Sequence, residues 1–307
     1  MNTATLNLHR LGAYLQLMRP ANIVTAWADV LAGFAASGCV FTNQEIGTVL
    51  VNLVPLTWLL LSTTGLYGGG IVFNDVFDAE IDAQERPERP IPSGRVSRWE
   101  AAFLGSLLLS VGVLAAAQVS WLCATLACDI AAAAILYNAC GKHHKIFGPI
   151  NMGICRGGNL LLGVSVVSLM VVEYWFLALI PIVYIAAVTT LSQGEVHGGK
   201  GSTGIIALLL IGTVITALIV LGLLNNYHLL AVLPFLVLLA ARVLLPFIRS
   251  VLQPTPENIR IAVRAGVLSL IVLDATIAAG FANLLYGLLI LSLLPVSMVL
   301  AQKFTVT

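Results

Sequence analysis

The residues best suited to chemistry stand together in one polar stretch, NDVFDAEIDAQERPERPIPSGRVSR, residues 74–98. Asp75, Asp78 and Asp82 are spaced i, i+3 and i+7, which on a helix places them within about 60° of one another. Like charges at that spacing repel, and a helix end does not gather them for stability. Hard oxygen ligands at this density are what Mg2+ requires, and Mg2+ is usually held by one or two carboxylates plus substrate phosphates. The spacing therefore predicts a phosphorylated ligand. Downstream, Arg86, Arg89, Arg95 and Arg98 are separated by Pro87, Pro90, Pro92 and Gly94, which turn the chain into a stiff loop suited to bidentate phosphate contacts. The bland alternative is a solvated loop whose acids and bases merely pair. Against it, Phe73, Val76, Phe77 and Ile81 keep the acidic helix apolar on its other side, where it can lie against the rest of the chain.

The elements that must carry this stretch are apolar. Of 307 residues, 59% are apolar and 9% charged, with a mean hydropathy of +0.99; a soluble domain carries roughly a quarter charged residues, so a water-soluble globule is excluded. A net charge of +1 excludes the basic surface of a nucleic-acid binder. Five scattered cysteines without a C-x-x-C pair suggest neither disulfides nor a thiolate metal site. The first apolar run is too long for a signal-peptide core and is expected to stay in the mature protein.

Runs of membrane-spanning length fall near 14–37, 47–71, 100–117, 120–139, 147–171, 174–191, 203–224, 228–249, 259–281 and 283–302. With the N-terminus inside, all 15 Lys and Arg fall on one side, while the opposite connections carry only Glu45 and Glu173, which orients the chain with its charged loops cytoplasmic. Leu- and Ala-rich runs of this length are helices rather than barrel strands. The expected fold is a single all-α integral membrane domain, 1–307. Asp29, Asp129 and Asp274 sit inside spans, where an ionised acid costs roughly 2.5–3.5 kcal/mol, so each is expected to face the bundle interior. Asn22 lies seven residues before Asp29 on the same face, and both are expected to look into a central cavity.

At these residues the chain resembles the UbiA family of intramembrane prenyltransferases. That family's first motif, N-D-x-x-D-x-x-x-D followed by R-P-I-P-S-G, is complete in Asn74, Asp75, Asp78, Asp82 and Arg89-Pro90-Ile91-Pro92-Ser93-Gly94. Arg19-Pro20-Ala21-Asn22 looks like its N-terminal R-P-x-N signature. The resemblance implies a bundle of nine to ten transmembrane helices around an apolar cavity. It implies transfer of a prenyl group from a prenyl diphosphate donor to a hydrophobic or aromatic acceptor within the bilayer, with Mg2+ as cofactor. The metal would be held by Asn74, Asp75, Asp78, Asp82 and Glu195, the carboxylates serving catalysis. Asn22, Asp29, Arg86, Arg95, Tyr137, Lys142, Arg156, Asn159 and Lys200 would bind substrate.

Glu195 belongs to the second motif, where the resemblance weakens. The usual D-x-x-D-x-x-x-D falls on Ser192, Glu195 and Gly199, followed by Lys200, so one carboxylate remains; Gln193 and His197 offer neutral ligands. This loop also looks like the UbiA-like branch called EboC. Two other functions stay open. One is a protein that binds or moves a prenyl diphosphate or lipid precursor without transferring it. The other is a secondary transporter using Asp29, Asp129 and Asp274 as relays, although no paired Gly/Pro-broken spans mark inverted repeats.

Overall fold

The computed structural model describes residues 3–40, 46–142, 144, 146–195, 198–199 and 201–304. Lys200, together with Glu45, His143, Lys145 and His197, lies outside the described residues. The first half of the chain forms α1 (Thr3–Met18), α2 (Pro20–Ala36), α3 (Ile46–Phe77), α4 (Ala79–Glu85), α5 (Arg98–Ala117), α6 (Trp121–Leu136) and α7 (Phe147–Val164). The second half forms α8 (Ser168–Tyr174), α9 (Leu179–Ser192), α10 (Gly201–Val220), α11 (Leu229–Leu252), α12 (Pro256–Leu268), α13 (Leu270–Phe281), α14 (Leu284–Leu291) and α15 (Leu293–Lys303). No strand occurs among the described residues.

Among the described residues, eight segments are long and apolar enough to cross a membrane, against the nine to ten expected. The difference lies in α2 and α7, for physical reasons. A left-handed Arg19 (φ 46, ψ 71) ends α1 and leaves α2 with 17 residues, Pro20 being tolerated at its first turn because no intrahelical donor is lost there. Helix α7 carries Arg156 among Asn151 and Asn159, which lowers its hydropathy and turns it inward.

Helix α2 is the axis of the bundle, with nearly every residue buried. Its backbone carbonyls accept hydrogen bonds from several directions: Ala21 from Ser297 of α15 (3.0 Å), Ala26 from Asn159 of α7 (2.8 Å) and Leu31 from Tyr286 of α14 (3.3 Å). Such close approach needs small residues. Gly33 of α2 and Gly163 of α7 face each other so tightly that a Cβ on either would strike the other helix's backbone, the packing mode of membrane helices, which lack a hydrophobic drive to associate. Gly65, Gly69, Gly105 and Gly112 allow a similar approach of α3 to α5.

The outer surface is apolar, as lipid contact requires. Trp99 and Trp121, 87% and 83% exposed, begin α5 and α6 and so mark opposite ends of one span, where interfacial aromatics belong. The expectation that Asp29, Asp129 and Asp274 all face inward is met for Asp29 and Asp274, both fully buried. It fails for Asp129, which is exposed on the outer face of α6. The cause is helical phase: Ala127 and Ile130 are the buried neighbours, and at 100° per residue Asp129 is turned away from both.

Replacing Gly33 by Ala should therefore lower the thermal midpoint of the detergent-solubilised protein by the cost of an overpacked core, about 1–3 kcal/mol. Gly212→Ala, where a Cβ meets open space, should leave the midpoint unchanged. A wild-type midpoint in Gly33→Ala would show that α2 and α7 are not in backbone contact.

Candidate active site

One cavity of about 320 Å³ lies within the bundle and is lined by six of the expected residues, Asn22, Asn74, Tyr137, Arg156, Asn159 and Glu195. Arg19, Asn22, Asn74, Tyr137, Ser192 and Glu195 line it where helices end; Thr63, Tyr67, Arg156 and Asn159 line it in mid-helix; Ile130, Ala134, Ile185, Val188, Val263 and Leu270 give it an apolar wall. Thr63 precedes Asn74 by eleven residues of the same helix, so the two polar ends are separated by about 16 Å along α3.

At the outer polar end the three aspartates do not share one continuous helix face. Helix α3 stops at Phe77, Asp78 is the junction residue, and α4 restarts at Ala79. Asp75 and Asp82 turn inward, 4% and 5% exposed, and Arg89 bridges them at 3.5 and 2.7 Å. Arg19 donates to Asp75 at 2.7 Å, and Lys142 forms an ion pair with Asp78. Three carboxylates could not be packed this closely in low dielectric without such partners. The pairing of acids with bases is thus real, but it is buried, not a solvated loop.

Local structure explains why these cations arrive here. The turn at Gly94 (φ 72) lets the proline-rich loop fold back so that Arg89 reaches α3 and α4. After α6, a wide π-type turn over Tyr137–Gly141 redirects the chain and presents Lys142; such turns recur at functional sites. Asn138 in that turn donates to the Gly70 and Ala134 carbonyls (2.9 and 3.0 Å) and accepts from Asn74 Nδ2 at 3.0 Å. Asn74 Oδ1, a hard oxygen, lies outside that bond.

The remaining expected residues divide. Glu195 is half-buried on the cavity wall, and burial pushes its carboxyl above the usual range against the opposing pull of Arg86 and Arg260. Arg86 is exposed at this end. Arg95 is not brought to the cavity: it is exposed and clamps Gln16 Oε1 (3.0 Å) and the Glu88 carbonyl (2.6 Å). Gly199 packs against Ile259 and Pro254, away from the lining. Arg19 and Asn138 stand at this end without being among the expected ligand residues, and of the four loop arginines it is Arg89 that reaches the aspartates. Arg19-Pro20 and Arg89-Pro90 lie inside the recognised motifs, which was the available signal; nothing in the spacing marks Asn138.

At the inner end Arg156, 1% exposed, forms an ion pair with Asp29 at 3.0 Å. It donates to the Thr25 hydroxyl and carbonyl at 3.2 and 3.0 Å and lies 5.2 Å from the centre of the Tyr67 ring. Asn159 donates to Asp29 at 3.0 Å and accepts from Thr63. Asp29 thus stands behind Arg156 and Asn159 and holds both towards the cavity.

The donor set fits Mg2+. Asp75, Asp78 and Asp82 are hard oxygen ligands beside the cavity and Asn74 adds an amide oxygen. Among the described residues no three acidic, His or Cys side chains already converge on one point, so the ion would take one or two carboxylates and complete its shell with phosphate oxygens and water.

Removing the bridging cation should expose its structural share. Arg89→Met leaves Asp75 and Asp82 facing each other in a buried site and should destabilise the protein by about 3–5 kcal/mol in thermal or denaturant unfolding; Arg89→Lys, which keeps the charge, should recover part of the loss. Equal stability of all three forms would show that the bridge carries no net energy.

Comparison with known proteins accords with this geometry. Two digeranylgeranylglyceryl phosphate synthases illustrate the sequence relatives. That of Methanothrix thermoacetophila is 36% identical over 149 residues, 48% of this chain and 52% of the relative. That of Ignicoccus hospitalis is 32% identical over 200 residues, 64% of this chain and 61% of the relative. The chain spans about half the length of the curated relatives it matches. Among solved structures, a UbiA homolog from Aeropyrum pernix K1 superposes with TM-score 0.66 at 16% identity, covering 83% of this chain and 96% of that one. One from Archaeoglobus fulgidus gives 0.66 at 14% identity, covering 91% and 99%, and the same homolog has been solved bound to GPP and Mg2+. The UbiA prenyltransferase family profile matches residues 31–270, and the chain, an integral membrane protein, belongs to that family.

Proposed function

We propose that the protein is a membrane-embedded, Mg2+-dependent prenyltransferase that moves a prenyl group from a prenyl diphosphate to a hydrophobic or aromatic acceptor, the whole chain 1–307 acting as one domain. The observation that carries this reading is the meeting of both sequence motifs at one cavity, Asn74 from the first and Glu195 from the second, with Arg19 between them and an apolar wall beyond. The relatives named digeranylgeranylglyceryl phosphate synthase and the GPP- and Mg2+-bound homolog support it.

In this reading Asn74, Asp75, Asp78, Asp82 and Glu195 hold magnesium, which when bound offsets the charge of the diphosphate. Arg19, Arg86 and Lys142 take the phosphate oxygens that remain, with Tyr137 and Lys200 as further contacts. The allylic C–O bond breaks with both electrons staying on the diphosphate oxygen, the acceptor oxygen or ring carbon bonds to the allylic carbon, and the acceptor's proton leaves to diphosphate or water. Fixed cations aimed at the departing oxygens stabilise the charge that develops there. The apolar wall encloses the prenyl chain and keeps water from the allylic cation.

A second reading, a protein that binds a prenyl diphosphate without transferring it, is favoured by one observation: Ser192 and Gly199 leave Glu195 as the lone acid of the second motif. Diphosphate release by the purified protein with Mg2+ and a set of prenyl diphosphates and acceptors separates the two. Under the transferase reading, Asp75→Asn and Asp78→Asn should each lower release at least 100-fold while the protein stays folded, and Glu195→Gln should raise the Mg2+ concentration for half-maximal donor binding. Release that is undiminished in the two Asp variants would refute the assigned roles.

The charge distribution further orients the protein in a plasma or inner membrane with the N-terminus, the residue 86–98 loop and Lys142 cytoplasmic. Cysteines introduced at Arg86 and Glu45 should be reached by an impermeant thiol reagent from opposite sides. Labelling of both from one side would overturn this topology.

A further inference from the structure

The inner end of the cavity carries a charge balance that limits what can bind there. Arg156 is the only Lys or Arg among the described lining residues at that end; the other charged lining residues, Arg19 and Glu195, belong to the outer end. Its guanidinium is already engaged by Asp29 and by both oxygens of Thr25. Behind it lies a second acid, Asp274 of α13, fully buried and close enough to act on both Asp29 and Arg156. Neither carboxyl oxygen of Asp274 has a hydrogen-bond donor among the described residues, and Asp29 Oδ1 likewise has none.

Asp29 serves as the carboxylate of the 3.0 Å ion pair with Arg156. With Asp274 protonated, Asp29, Asp274 and Arg156 sum to zero; with Asp274 ionised they sum to −1. In neither case does this end present net positive charge. A carboxylate or phosphate placed against Arg156 would be desolvated in the bilayer core without a free counter-charge, which disfavours its binding. A hydroxyl or carbonyl oxygen meets no such penalty, and Arg156, Asn159 and Thr63 are the polar groups that it would find.

Resting on the transferase reading, we infer that the inner end of the cavity is the acceptor subsite and that it selects an uncharged, hydroxyl-bearing acceptor over an anionic one, with Asp29 and Asp274 as the positioning residues that cancel the charge of Arg156. Cations at the outer end are paired with Asp75, Asp78 and Asp82 or are engaged by the donor, so they do not serve the inner end. The relatives' name denotes a product bearing a phosphate; the inference separates this chain from such an acceptor.

The test uses two matched pairs of probes: hydroquinone against 4-hydroxybenzoate, and glycerol monooctyl ether against its phosphate. Their binding to the full-length protein is measured by calorimetry with Mg2+ and inorganic diphosphate present to fill the outer end. The uncharged member should bind at least tenfold tighter in one or both pairs. The double variant Asp29→Asn, Asp274→Asn, which removes both acids and leaves Arg156 as the charge at this end, should shrink that preference at least fivefold. Should the double variant fail to fold, the wild-type comparison still decides. Equal or tighter binding of the anionic members, or binding of no probe, would overturn the inference. Diphosphate release is assayed separately: its absence alongside a preserved neutral preference would sink the transferase reading and leave a site for neutral hydroxyl ligands.

Discussion

Neutralising charge where water is scarce is the constraint on which the rest of this structure depends. Asp75 and Asp82 can lie buried because Arg89 bridges them and Arg19 adds a second partner to Asp75; Asp78 is held by Lys142; Asp29 is held by Arg156. Each of these cations comes from a different element than its acid. Arg19 ties the α1–α2 junction to α3, Arg89 ties the proline-rich loop to α3 and α4, Lys142 ties the end of α6 to the α3–α4 junction, and Arg156 ties α7 to α2. The groups that would meet a diphosphate are therefore also the tertiary restraints of that end of the bundle. On the proposed reading, a polyanion with its metal would enter by exchanging partners, the carboxylates passing to the metal and the cations to the phosphate oxygens. The total charge then changes little even though every pairing changes.

That exchange needs a scaffold that does not move with it, and α2 supplies one. Its carbonyls at Ala21, Thr25, Ala26 and Leu31 accept bonds from α15, α7 and α14, and its Gly33 lies on the backbone of α7. In hydrocarbon a helix carbonyl that accepts an extra bond gains without losing its own ladder, since oxygen has two lone pairs. The buried polar residues of α7 are thereby fixed by backbone rather than by side chains alone, which keeps Arg156 and Asn159 at one depth.

Features set by period and composition were legible in the sequence; those set by the path of a loop were not. Apolar runs gave the helices, and the family resemblance pointed to Asn74, Glu195, Arg156 and Asn159, which meet at one cavity. Spacing alone could not tell Arg89 from Arg95, six residues apart in the same loop, because the fold-back at Gly94 decides which of them reaches the aspartates. The break at Asp78 escaped a helical-wheel reading for the same reason. Arg19 precedes a proline, which marks a helix start, but its left-handed backbone and inward side chain are tertiary outcomes. Asp129 shows the opposite failure: energetic cost argued for an inward acid, and the phase set by Ala127 and Ile130 placed it outward.

The second motif shows how a site can lose charge without losing shape. Ser192 and Glu195 remain on the cavity wall, so the backbone path that would carry a full acidic motif is present. Gly199 is different: a Cβ there would lie 3.0 Å from Ile259, and its neighbour Gly198 occupies the left-handed region at φ 83. Its amide donates to the Pro254 carbonyl at 3.2 Å, which binds this turn to the start of α12. An acidic side chain at 199 would have to displace that apolar contact before it could reach the cavity, so the missing carboxylate is compensated by packing and is not simply vacant. The carboxylates are consequently concentrated in the first motif, at Asp75, Asp78 and Asp82, with the Asn74 amide beside them. Glu195 keeps its half-buried place on the cavity wall, with Arg86 and Arg260 acting on it.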